Sequence, residues 1–154
     1  MILGFHHAAI STPDLDRCLT FYKEVVGCEE AWTFEWPAGT PEADAMTGLE
    51  NSAARAVMLK LGDSFLEIFE FSSPKPAPLN PDRPVCDHGI THVCLQVTDL
   101  HAEYARMKAA GMRFHSEPLT QDTGYVIYGR DPDGNVVELQ EILTEDSPIA
   151  LDLK

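Results

Sequence analysis

The strongest constraint on the fold of this chain is an internal repeat. In the first half, His7 is followed seven residues later by an Asp-Leu pair, and in the second half His92 is followed at the same interval by the same pair. Each half then ends on a matching segment, Glu-Ile-Phe-Glu over 67–70 and Glu-Leu-Gln-Glu over 138–141. Such self-similarity predicts two copies of one structural unit.

The first half reads as a β-α-β-β-β unit. A strand over 5–11 precedes an amphipathic helix that begins after Asp14, a good N-cap residue, and strands follow over 30–36, 54–61 and 64–71. Because side chains alternate between the two faces of a strand, the residue next to the repeated histidine, His6, is predicted to face away from it.

The second half repeats this order. We predict a strand over 90–97, a helix capped by Asp99, and strands near 112–116, 124–130 and 135–142. One unit of this size would leave a sheet face uncovered, whereas two can pair their sheets. The sequence therefore predicts an α+β fold of tandem βαβββ modules whose sheets form a cup.

Proline placement separates the two modules. We assign the first module to 1–71, a linker to 72–87, the second module to 88–143 and an acidic tail to 144–154, all within one structural domain. The linker holds five prolines, which exclude a helix or a central strand. Inside the first module, 37–52 is predicted as a long loop, with a helical turn as one option.

Charge and composition exclude several classes of partner. The 154 residues include 25 acidic and 11 basic side chains, for a formal net charge of −14. Such a chain repels nucleic acid backbones and anionic lipid surfaces. There is no apolar run of membrane-spanning length and no recognisable signal peptide, and the four cysteines form no Cys-x-x-Cys pair. We expect a cytoplasmic protein with reduced thiols and a small-molecule substrate.

The repeated histidines and glutamates predict a metal site. The two-residue period of strands places His7, Glu67, His92 and Glu138 on the faces opposite the helix-packing residues. Two imidazoles and two carboxylates suit Ni, Co, Zn, Mn or Fe(II). A metal held there would stabilise an enediolate as a Lewis acid, and either Glu67 or Glu138 could remove the proton as catalytic base.

Aromatic residues are predicted to line the substrate pocket of the cup. They alternate along one strand of the first module and flank Glu67 on another: Trp32, Phe34, Trp36, Phe65 and Phe69. Tyr125 and Tyr128 fall on opposite faces of their strand, so at most one of them can face the cup.

Several of these motifs together resemble the vicinal oxygen chelate superfamily, which includes glyoxalase I, methylmalonyl-CoA epimerase, extradiol dioxygenases and fosfomycin-resistance enzymes. The resemblance covers about residues 3–143 and is carried by His7, Asp14-Leu15, Phe21-Tyr22, Gly27, Leu66-Glu67, 89–92 and 131–138. It implies paired βαβββ modules around a divalent metal at His7, Glu67, His92 and Glu138, and a homodimer.

The metal set looks most like that of glyoxalase I, which implies a metal-dependent lyase or isomerase acting through an enediolate on a small carbonyl or thioester. Ser11 and Phe71 stand where glutathione-dependent members have Arg and Asn, which argues against glutathione as substrate. Two alternatives remain open. One is an extradiol-type Fe(II) dioxygenase, for which Glu67 is a surplus ligand, and the other is a non-enzymatic, antibiotic-type binding protein.

Overall fold

The computed structural model describes residues 1–151, so the last three residues of the predicted acidic tail lie outside the described part. The chain forms two compact units, residues 1–79 and residues 80–154. Within the described residues, no helix is long and apolar enough to cross a membrane.

The first unit is a four-stranded sheet with helices in its connections. Its elements are β1 (His7–Ser11), α1 (Leu15–Thr20), a π-helical segment (Phe21–Val26), β2 (Glu29–Trp36), α2 (Pro41–Thr47), β3 (Ala53–Leu61) and β4 (Ser64–Ser73). The strand order is β1-β4-β3-β2, in which β1 runs parallel to β4 and the other neighbours are antiparallel.

The second unit has the same plan. Its elements are β5 (Val93–Gln96), α3 (Leu100–Ala109), β6 (Arg113–Phe114), β7 (Leu119–Gln121), β8 (Gly124–Arg130) and β9 (Val136–Ile142). The order is β5-β9-β8-β6, with β7 also paired to β8, and again the first strand of the unit is parallel to the last. The predicted α+β class and the repeat are confirmed.

Equivalent aspartates begin the first helix of each unit. Asp14 accepts a hydrogen bond from the backbone N–H of Arg17, and Asp99 accepts one from Ala102. Each cap satisfies a donor that the first helical turn leaves without an intrahelical partner. The helices cover one face of each sheet, where Ile68 and Leu139 are fully buried.

The structure differs from the sequence prediction in two elements and at several element boundaries, among them β1, which begins at His7 rather than at residue 5. A helix, α2, occupies much of the predicted loop over 37–52; Pro41 lies in its first turn and Gly48 ends it with a φ of 69°. The short strand β7 was not predicted. The first strand of the second unit begins at Val93 rather than at residue 90, so His92 lies just before the strand.

Asp44 on α2 ties this helix to the sheet. Its carboxylate accepts the backbone N–H groups of Asn51 at 2.8 Å and Ser52 at 2.6 Å, and the Ser52 hydroxyl accepts the indole N–H of Trp36 at 3.0 Å. Hydrogen bonds from Ser52, side chain first and then backbone, together with that from Asn51, lower the pKa of Asp44 below its ordinary value.

We therefore expect acid to loosen α2 through Asp44. A carboxylate with a lowered folded-state pKa contributes stability above its unfolded pKa of about 4, and this contribution disappears as pH falls through the folded value. Tryptophan emission of the wild type should shift to the red below about pH 4. Asp44→Asn should show the shift at neutral pH already, while Glu42→Gln on the same helix should behave like the wild type. Identical acid profiles for Asp44→Asn and the wild type would contradict this role.

Candidate metal centre

In the first unit, strand register places one predicted ligand in a row of residues that crosses all four strands. Ala9, Glu67, Met58 and Trp32 are direct partners from β1 to β2. Directly paired residues share a sheet face, so these side chains lie together, opposite the buried Ile68 and Leu59.

His7 completes a pair with Glu67. It precedes Ala9 by two residues on β1 and therefore shares its face. The distance between Nε2 of His7 and Oε2 of Glu67 is 3.4 Å, and the Glu67 side chain is only 12% exposed. The structure thus brings together the two predicted ligands of the first unit.

The second unit holds an equivalent pair. Cys94, Glu138 and Tyr128 form the row across β5, β9 and β8 that corresponds to Ala9, Glu67 and Met58 in the first unit. His92 lies two residues before Cys94, and its Nε2 is 2.9 Å from Oε2 of Glu138. Within the described part of either unit, no group of three or more His, Cys, Asp or Glu side chains is gathered for metal binding.

The donor separations fit a metal ion. Two ligand atoms bound at about 2.1 Å lie about 3.0 Å apart in adjacent octahedral positions and about 3.4 Å apart in a tetrahedron. The two His–Glu pairs have separations of 2.9 and 3.4 Å. Imidazole nitrogen and carboxylate oxygen are also the donors that first-row divalent metals accept. Each pair therefore has the donor types and the donor separation that half of the predicted set would need.

In each unit the residue before the histidine fixes the orientation of the imidazole ring. Nδ1 of His7 lies 2.8 Å from Nδ1 of His6, and Nδ1 of His92 lies 2.8 Å from the Thr91 hydroxyl. In both units the residue before the histidine holds Nδ1, which leaves Nε2 facing the glutamate. Outer hydrogen bonds of this kind set the ring orientation of ligating histidines.

The prediction that His6 faces away from the site is wrong. Its ring stacks on Phe65 with centroids 4.9 Å apart, and Phe65 is the direct partner of His7 across β1 and β4. The alternation used for the prediction does not reach His6, because β1 begins at His7.

Two neutral donors flank Glu138. Desolvation first, and then the charge and hydrogen bond of Glu138, raise the pKa of Cys94 to about 12. The pKa of Tyr128 is also raised, by desolvation and then by Glu138 and Cys94. Both groups stay protonated at neutral pH, and the Cys94 thiol donates to Oε1 of Gln140 at 4.0 Å. Glu67 has Ala9 and Met58 at the corresponding positions, so the two carboxylates differ in their surroundings.

The structure decides between the two tyrosines of β8. The Tyr128 ring lies 4.9 Å from that of His92, whereas Tyr125 pairs with Glu141 on the other face and contacts His101. The sequence does contain a signal for this choice. Counting back from Glu138 through the turn at 131–134 brings Tyr128 opposite the carboxylate.

Two further contacts hold β9 in place. The Asp131 carboxylate accepts the backbone N–H groups of Asp133 and Asn135, closing the turn before the strand. Glu141 accepts the backbone N–H groups of Asp99 and Leu100, at 2.7 and 3.0 Å. This second contact joins β9 to the start of α3, three residues beyond Glu138.

Four of the five predicted pocket residues form one aromatic cluster, and Phe65 lies apart from it. Trp32 stacks on Phe34 at 4.9 Å and Phe34 stacks on Trp36 at 5.9 Å, with Phe69 in edge contact with the last two. Phe71 stacks on Phe69 and extends the cluster. Phe65 lies towards the other end of β4, against His6.

Comparison with known proteins agrees with this architecture. Residues 4–139 match the family model of the Glyoxalase/Bleomycin resistance protein/Dioxygenase superfamily. The chain is 32% identical to a 2-epi-5-epi-valiolone epimerase of Actinomyces sp, over 89% of this chain and 78% of the relative. It is 25% identical to an ethylmalonyl-CoA/methylmalonyl-CoA epimerase of Cereibacter sphaeroides, over 92% and 100% of the two chains.

Solved structures show the same fold. A glyoxalase family protein from Bacillus cereus superposes with a TM-score of 0.84 at 22% identity, over 94% of this chain and 97% of that chain. A mutant of the fosfomycin resistance protein FosX from Listeria monocytogenes, solved with Mn(II) and a dihydroxypropylphosphonic acid, matches with a TM-score of 0.59 at 18% identity, over 91% and 93%.

The chain therefore belongs to the Glyoxalase/Bleomycin resistance protein/Dioxygenase superfamily. Its curated relatives are epimerases and a lyase, and it is an enzyme of this epimerase or lyase type.

Proposed function

We propose that this enzyme is a metal-dependent epimerase or isomerase that moves a proton on the carbon next to a carbonyl group. His7, Glu67, His92 and Glu138 would hold one divalent metal ion. When bound, the metal would supply Lewis-acid stabilisation of negative charge on the substrate oxygen. The observation that carries the proposal is the pair of His–Glu contacts at equivalent positions of two repeated sheets.

We assign the role of base to Glu67 and the role of anchoring ligand to Glu138. Glu138 lies between the Cys94 thiol and the Tyr128 phenol, its direct partners across the sheet, and both can donate hydrogen bonds. Hydrogen bonds to a carboxylate stabilise its charged form and make it a weaker base. Glu67 has Ala9 and Met58 as direct partners across the sheet, and neither side chain can donate a hydrogen bond to it.

Glutathione is not part of this proposal. Phe71 is packed against Phe69 and Trp36 in the aromatic cluster, and Ser11 ends β1 with a small neutral side chain. Neither can supply the charged or amide group that recognition of an anionic tripeptide would need at these positions. A small carbonyl or thioester substrate with an adjacent stereocentre fits better, as the names of the epimerase relatives also suggest.

The proposal is tested by metal content and by isotope exchange. Untagged protein is incubated separately with Ni, Co, Zn, Mn and Fe(II), desalted and analysed by mass spectrometry. It is then mixed in D₂O with a panel of 2-hydroxy ketones and 2-methyl thioesters. We expect about one metal ion per chain, counting one ion for each four-ligand set, and deuterium at the carbon next to the carbonyl. Bound metal without exchange on any substrate would refute the proposal.

Two results would favour the alternatives. Selective retention of iron with oxygen uptake on catechols would point to a dioxygenase. Failure to bind any of the metals, with tight binding of an apolar ligand, would point to a binding protein. A homodimer is also proposed, on family grounds alone, and sedimentation velocity tests it.

A further inference from the structure

Resting on the proposed function, we infer that Trp32 determines substrate specificity: its exposed indole is the platform on which a neutral, ring-shaped hydroxy ketone stacks.

Exposure separates Trp32 from the rings that support it. Its residue is 63% exposed, whereas Trp36 is 8% exposed and is held by the Ser52 hydroxyl. Phe34 lies between the two indoles, stacked on both. Trp32 is thus the open end of a fixed stack, which lowers the entropy lost when a ligand binds.

Strand register places the exposed Trp32 ring two strands away from the proposed base, Glu67, on the same face of the sheet. Trp32, Met58 and Glu67 are direct partners on three adjacent strands. Neighbouring strands are about 4.8 Å apart, so the backbone positions of Trp32 and Glu67 lie about 10 Å apart on one face. A six-membered ring lying on the indole spans much of this gap, over Met58, and brings its edge near the carboxylate.

Charge favours a neutral substrate over a coenzyme A thioester. The phosphates of such a thioester need guanidinium or ammonium partners. Residues 1–79 carry twelve acidic side chains against five basic ones, and of these five Arg55 is paired with Glu70 and Asp16 and Lys23 is paired with Glu30. By contrast, the C–H face of a saturated polyhydroxy ring presents apolar surface to an aromatic face while its hydroxyl groups remain in water.

The test compares two probes by tryptophan fluorescence and by exchange. The cyclic probe is scyllo-inosose, a neutral polyhydroxycyclohexanone, and the acyclic probe is methylmalonyl-CoA. Trp36→Phe leaves Trp32 as the single indole, so its emission reports contact at this ring. Trp32→Ala and Trp32→Phe are compared with Met46→Ala, which removes another exposed apolar side chain, on α2.

We expect scyllo-inosose to quench the Trp32 emission of Trp36→Phe. The dissociation constant measured by calorimetry should rise about five- to tenfold in Trp32→Ala and less in Trp32→Phe. Met46→Ala should bind like the wild type, and binding of methylmalonyl-CoA should not depend on Trp32.

Three outcomes would overturn the inference. They are unchanged binding of the cyclic ketone in Trp32→Ala, Trp32-dependent binding of the thioester alone, and Trp32 emission that changes on dilution but not with ligand, which would assign the ring to contact with a second copy. Exchange on the thioester but not on the ketone would reject the inference and keep the proposed function. Stacking of the ketone on Trp32 without exchange on any substrate would keep the inference about Trp32 and reject the proposed function.

Discussion

Glu67→Gln is expected to retain metal and lose proton exchange, whereas Glu138→Gln is expected to lose the metal itself. Removal of a positioned base typically lowers the rate by about 10²–10⁴-fold. The two substitutions should differ because Glu138 has the thiol of Cys94 and the phenol of Tyr128 as its direct partners across the sheet, whereas Glu67 has Ala9 and Met58. Metal content and deuterium exchange, measured on the same samples, separate the two roles.

Glu70→Gln is the matched control for Glu67→Gln. It lies three residues further along β4 and is hydrogen-bonded to Arg55. This variant should keep both metal and exchange, because an exposed ion pair contributes little. If Glu138→Gln kept its metal and lost exchange while Glu67→Gln lost the metal, the two roles would be assigned the wrong way round. Full exchange in both variants would show that neither carboxylate takes part in the proton transfer.

Gly134→Ala is expected to destabilise the second unit severely. Gly134 has a φ of 90° in the turn that begins at Asp131, and a Cβ atom at this position would overlap the backbone of Pro81. The turn is further held by Arg130, which donates to the carbonyl oxygens of Gly134 and Arg83. Since backbone cannot move aside as a flexible side chain can, we expect a loss of about 3 kcal/mol or more.

Gly111→Ala is the control that separates the effect of the overlap with Pro81 from the effect of a positive φ alone. Gly111 has nearly the same φ, 95°, but a Cβ atom there would have no neighbour within 4 Å. Its cost should therefore be the left-handed strain alone, about 1–2 kcal/mol. Urea unfolding followed by circular dichroism compares the two variants. Equal losses of stability would show that the turn moves away from Pro81 without cost.

Gly134→Ala should also weaken metal binding. The turn leads directly into β9, which begins at Val136 and carries Glu138 two residues later. Displacement of the turn shifts this strand relative to β5 and hence the separation of Glu138 from His92. Gly111→Ala, at the end of α3, should leave the metal affinity unchanged.

Much of the candidate site could be predicted because it depends on local rules. The repeat, the N-cap aspartates and the two-residue period of strands together placed each histidine on the same face as its glutamate. One error lies where an element begins: His6 precedes the first residue of β1, so alternation did not apply to it. The predicted loop over 37–52, for which a helical turn was one option, contains the helix α2.

The sequence by itself determined the family, the repeated architecture and the identity of the two His–Glu pairs, since all three follow from residue types at short, regular spacings. Only the tertiary structure decided which neighbours each carboxylate has and why Trp32 is open while Trp36 is buried. These properties depend on the register between strands that are distant in the chain, and register is set by the packing of whole sheets.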